Sequence, residues 1–223
     1  ILIGLGVLEG GLRLLGFGPP KTINQFDETL GWSKKPLSKG HRKTKEFDVT
    51  YEINELGLRD DPMSSPAKPP GTFRVLMLGD SFTLGYTLER HNLFVDQLEG
   101  LWQSEGRNVD VINAGTEAYA TDQEVVWFLE HGESFEPDLV MIFPYENDIF
   151  WSGQQRYLRK DKPRFNADGT LEQRTLVDAD ASDWRQGWAL TRWMAPKAIG
   201  DFVWEHPSGQ KLFKEYAPLL VDD

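Results

Sequence analysis

The chain has 223 residues, 39% of them hydrophobic and 12% aromatic, enough for one sizeable core and favouring one domain over two. A net charge of -11, from 24 basic and 35 acidic residues, argues against a nucleic-acid partner, because phosphate-backbone binding needs a basic face. Cysteine is absent, which excludes disulfides and thiolate metal sites but leaves the compartment open.

The first residue is Ile1, and residues 1–17 are rich in Leu, Ile and Gly while carrying Glu9 and Arg13. A membrane span needs about 20 mostly apolar residues, so this piece is too short by itself. Three readings stand: the end of a cut-off membrane anchor or signal helix, an amphipathic helix with a Glu9–Arg13 i,i+4 pair, or a packed N-terminal helix. In each, Gly16, Gly18, Pro19 and Pro20 end it.

Residues 21–70 are polar and turn-rich, with basic patches at Lys34-Lys35 and His41-Arg42-Lys43. One run, 47–53, alternates apolar and polar residues and predicts a strand. Pro62 to Gly71 has the composition of a linker, so the division expected is 1–20, 21–70 and 71–223.

From Gly71 the pattern is strand, helix, strand, helix, strand. Apolar runs at 73–78, 109–112 and 137–143 predict buried strands, and 93–102 has helical spacing. Thr121 is expected to cap a helix through Glu130, with Glu124 completing a capping box. Such alternation implies a parallel α/β sheet. Asp168-Gly169 signals a tight hairpin, and 184–193 looks helical.

In parallel α/β sheets, ligands bind outside the carboxyl ends of the strands. Here the three predicted strands end in Gly79-Asp80-Ser81, Asn113-Ala114-Gly115 and Asn147-Asp148. A serine after a buried strand can expose its hydroxyl at the sheet edge. A glycine lets a backbone N–H come close, and an asparagine adds a neutral amide donor. Each block alone has a plain alternative as a helix cap or turn. The sequence lacks a P-loop, a Gly-x-Gly-x-x-Gly run and a Gly-x-Ser-x-Gly elbow, and no residue spacing suggests a metal.

Gly79-Asp80-Ser81-Phe82-Thr83, Asn113-Ala114-Gly115 and Glu146-Asn147-Asp148, in this order, resemble the first three blocks of the SGNH (GDSL-type) hydrolases. The resemblance spans residues 72–150. It implies a flavodoxin-like three-layer α/β/α fold, incomplete at its C-terminus. Ser81 would be the nucleophile, and the Ser81 N–H, Gly115 N–H and Asn147 side chain the oxyanion hole. Asp80 and Asp148 would be supporting groups.

Asn54-Glu-Leu-Gly-Leu-Arg59 is similar to a segment of a membrane-anchored bacterial branch, which implies an extracytoplasmic catalytic domain behind an N-terminal helix. The activity implied is a serine esterase without cofactor, acting on a small-molecule or glycan ester, with O-acyl groups of a cell-envelope glycan or lipid as examples. An acyltransferase or an inactive binding module of the same fold are the alternatives, and the oligomeric state is left open.

The fourth block of that family, Asp-x-x-His, has no match. The histidines are His41, His91, His131 and His206; Asp201 and His206 form a substitute pair at a spacing of five instead of three. The expectation is a chain cut short of the catalytic Asp-His. Tyr145, Phe150 and Trp151 flank the third block as pocket or core residues, and Arg59 is expected to pair with a surface carboxylate or to serve the site.

Overall fold

A computed structural model describes residues 2–14, 22–63 and 65–178. The chain divides into two units, and residues 21–179 form the larger one. In the other, helix α1 (Leu2–Leu12) carries the expected pair, with Arg13 Nε donating to Glu9 at 2.8 Å. Among the described residues no helix is long and apolar enough to cross a membrane.

The larger unit starts with two antiparallel hairpins. Strands β1 (Asn24–Asp27) and β2 (Gly31–Lys34) pair through a turn in which Asp27 Oδ1 accepts the N–H groups of Thr29 and Leu30. Strands β3 (Lys39–Lys43) and β4 (Asp48–Glu52) form the second. The alternation of Val49 and Tyr51 made β4 predictable, since both are buried with Ile23 and Ile53. Its partner reads Lys-Gly-His-Arg-Lys and has no apolar face for a pattern to reveal.

Next come β5 (Phe73–Gly79), the short helix α2 (Ser81–Leu84) and α3 (Phe94–Ser104). They are followed by β6 (Val109–Asn113), α4 (Thr121–Glu130), β7 (Leu139–Phe143) and α5 (Glu146–Trp151). The three strands make a parallel sheet in the order β6-β5-β7, so β5 is central. Because side chains alternate along a strand, β5 feeds two cores. Val75 and Met77 pack with Val95 of α3, while Leu76 and Leu78 pack with Val126 and Trp127 of α4. The result is the expected α/β fold with a helix on each face of the sheet.

The second of these cores also takes in Leu30, Trp32 and Leu58, so the buried apolar surface runs across Gly71 into the preceding segment. Thr121 is the first residue of α4 and not its cap. The cap is Ala120, whose N–H donates to Gln123 Oε1, while Glu124 turns inward. Beyond α5, the strands β8 (Arg156–Tyr157) and β9 (Lys160–Asp161) form a small hairpin. The Asp168-Gly169 signal marks a real turn, bracketed by the Phe165–Leu171 bridge. The helix expected at 184–193 lies outside the described residues.

Candidate functional site at the carboxyl edge of the sheet

Ser81 opens α2 immediately beyond the central strand and is half-buried. Asp80 caps this turn: its Oδ1 accepts the Phe82 N–H at 2.9 Å, and its Oδ2 accepts the Ser81 hydroxyl at 3.4 Å. Asp80 itself is buried, and burial raises its pKa above the usual range for an aspartate. Gly85 closes the turn in the left-handed conformation.

Two glycines make room for this turn. A Cβ on Gly79 would lie 2.1 Å from Thr83 Oγ1, and one on Gly115 would lie 2.3 Å from the Leu84 nitrogen. The end of β6 therefore passes against the backbone of α2, which places the second block beside the first. The Gly115 N–H, expected as an oxyanion donor, is committed instead to Asn113 Oδ1 at 3.0 Å. Asn113 is held for this by its own Nδ2, which donates to Thr83 O at 2.9 Å. An Asx-type turn thus takes up the donor that the sequence assigned to substrate.

The third block follows β7. Asp148 is fully buried and accepts the Tyr145 N–H at 2.7 Å, fixing the start of α5, on which Asn147 sits half-buried. The Asn147 amide oxygen is buried without a partner in the structure. The Phe82 and Tyr145 rings meet at 4.4 Å, joining the first block to the third. Phe82, Tyr145 and Phe150 are exposed, whereas Trp151 leads inward through Tyr157 to Trp32. Ser81 thus follows the central strand, Gly115 the strand on one side of it and Asn147 the strand on the other.

No histidine among the described residues bonds to Ser81. His41 pairs with Asp48 on the exposed β3–β4 hairpin at 2.5 Å, and His91 is exposed on a 3₁₀ turn before α3. His131 ends α4, stacked edge-on to Trp127. Asp201 and His206 lie outside the described residues. No group of three or more His, Cys, Asp or Glu side chains could hold a metal ion among the described residues.

Three features escaped the sequence reading. Arg59 is not at the surface: it is 1% exposed, lies over the Tyr51 ring, and donates to the carbonyls of Thr50, Leu84, Gly85 and Leu88. It thereby staples the chain just after α2. The β1–β2 hairpin grips the loop after β6, with Trp32 Nε1 donating to Glu117 O at 3.1 Å and Tyr119 Oη donating to Trp32 O at 2.6 Å. Lys34, buried, pairs with Glu117 in the same loop. Finally, α4 turns two acids inward, Asp122 onto Lys162 and Glu124 onto no hydrogen-bond partner. The motif Thr-Asp-Gln-Glu reads as a capping box because Thr followed three residues later by Glu is that box's signature.

No family model matches the chain, and no curated protein does. Among the solved structures similar to it are AlinE4, described as an SGNH-hydrolase family esterase, and a point mutant of that esterase. Each is 26% identical, with a TM-score of 0.33, over 37% of this chain and 45% of the other. The chain thus spans less than half the length of the structures it matches.

Proposed function

We propose that this chain carries the nucleophile and part of the oxyanion hole of a serine ester hydrolase. The observation that carries the reading is the position of Ser81 at the end of the central parallel strand, with Gly115 and Asn147 after the two flanking strands. That crevice is where parallel sheets bind ligands. Ser81 Oγ attacks the ester carbonyl, the alcohol leaves, and water releases the acid from the acyl-enzyme. The Ser81 N–H and the Asn147 amide stabilise the oxyanion, each donor being worth about 10²–10³ in turnover. Gly115 contributes space beside α2, since its N–H is bound to Asn113. The exposed Phe82–Tyr145 pair suits an apolar acyl group.

Among the described residues the Ser81 hydroxyl meets the Asp80 carboxylate and no histidine, so a histidine base has to come from elsewhere in the protein. Labelling of the native protein with a fluorophosphonate, compared with Ser81→Ala, tests the reading. Labelling lost in Ser81→Ala is expected. Folded native protein that stays unlabelled would refute the enzyme reading and leave a binding module.

A further inference from the structure

Helix α2 is a single turn of four residues, Ser81–Leu84. A turn that short has little stability of its own, because nucleating a helix fixes several dihedral angles for one hydrogen bond. It has to be held from outside, and the serine goes where it is held. The Ser81 carbonyl accepts the N–H groups of Gly85 at 3.0 Å and Tyr86 at 2.9 Å, which ties its place to the residues that follow. Arg59 fixes those residues. Its Nη1 donates to Leu84 O at 2.9 Å and Gly85 O at 2.6 Å, and its Nη2 to Leu88 O at 2.7 Å and Thr50 O at 3.3 Å. Gly85 leaves room for the guanidinium, since a Cβ there would lie 3.1 Å from Nη1. Strand β4 backs the contact: the Tyr51 ring centre lies 4.7 Å from the guanidinium carbon, and the Tyr51 hydroxyl donates to Tyr86 O. The Thr50 N–H donates to Glu89 Oε1 at 3.0 Å.

The next residue, Asp60, holds the second block. Its Oδ2 accepts the Asn113 N–H at 2.9 Å at the end of β6, and Asn113 Nδ2 donates to Thr83 O of α2 at 2.9 Å. Two consecutive residues that precede the parallel sheet in the chain therefore bond to the segment that holds Ser81 and to the strand end beside it. We propose that Arg59 and Asp60 form a clamp that positions Ser81, which makes the segment before Gly71 part of the working site. The role of Ser81 rests on the ester-hydrolase reading; the clamp itself does not. Arg59 acts through the carbonyls it binds and is a positioning residue. The planar fork of a guanidinium serves four carbonyls at once, whereas an ammonium in its place is a point donor that cannot span them.

Amide hydrogen exchange tests the clamp, read at Gly85 and Tyr86, whose N–H groups bond to Ser81 O, against Met77 and Leu78 in β5. In Arg59→Lys, exchange is expected to quicken at Gly85 and Tyr86 by about tenfold more than in β5. Fluorophosphonate labelling of Ser81 in the folded native protein is expected to slow about tenfold or more in the same variant. Val49→Ala is the comparison. It loosens the core in which Val49 packs with Ile23, Tyr51 and Ile53 but removes none of the Arg59 bonds, so it should lower Tm and leave the labelling rate as it was. The clamp is overturned by a labelling rate that Arg59→Lys leaves unchanged, by equal slowing in Val49→Ala, or by exchange that quickens equally in β5. Should Arg59→Lys fail to fold, the parent decides: a held turn protects both amides as well as β5 is protected, and unprotected amides would overturn the clamp. A folded native protein that stays unlabelled removes the esterase, and local exchange in Arg59→Lys then decides the clamp by itself.

Discussion

Lys162 Nζ lies 2.5 Å from Asp122 Oδ2, and both side chains are out of solvent. The ammonium also donates to the carbonyls of Gln154 and Pro163, and the same carboxylate oxygen accepts the Gly153 N–H. One ion pair therefore ties the segment that follows α5 to the first turn of α4. This matters for the site because α5 carries Asn147.

Removing the cation alone leaves Asp122 buried and unpaired. Lys162→Met is expected to cost about 3–5 kcal/mol, whereas the double change with Asp122→Leu should cost clearly less. Urea unfolding of the two variants measures this. Equal losses would mean that the pair contributes through its contacts with Gly153, Gln154 and Pro163 and not as a charge pair.

Gly115→Ala places a methyl group 2.3 Å from the Leu84 nitrogen and 2.6 Å from the Thr83 carbonyl carbon, both rigid backbone atoms. Overpacking of this kind costs about 1–3 kcal/mol, a fall of roughly 2–4 °C in Tm for each kcal/mol in a protein of this size. Gly100→Ala is the control. It lies inside α3 with nothing within 4 Å of the new methyl, and is expected to gain about 0.5–1 kcal/mol from helix propensity. Thermal melts check both signs.

Among the acids whose pKa burial raises, Asp60, Asp148 and Glu124 are shifted furthest and weigh most on the dependence of stability on pH. Burial raises Asp60 to about 7, Asp148 to about 6 and Glu124 to about 8. Each binds its proton more tightly folded than unfolded. Their stabilisation is complete below the ordinary carboxylate range and is lost as pH climbs to each folded pKa. Stability is expected to fall from about pH 4 to about pH 8, each group contributing a slope of up to about 1.4 kcal/mol per pH unit between its unfolded and folded pKa. Glu124→Gln should flatten the last part, between about pH 7 and 8, where Glu124 alone of the three is still changing. Urea midpoints across this range provide the measurement, and a parent curve that rises with pH would contradict it.

Short-range pattern carried the sheet and the candidate site. The strands around Val75, Val111 and Val140 are apolar runs, and the polar residues closing each run fell at one sheet edge because parallel strands share a direction. The position of Ser81, Gly115 and Asn147 was legible for that reason. Pattern could not say which partner a polar group takes. The Gly115 N–H went to Asn113, and Arg59 went to four carbonyls instead of a carboxylate. Lys162 and Asp122 are 40 residues apart in sequence, and only chain packing brings them together. A sequence records which groups can donate, accept or ionise. Their charge and partners depend on which of them are buried together, because desolvation and neighbouring charge act through space, and that was decided by the tertiary structure alone.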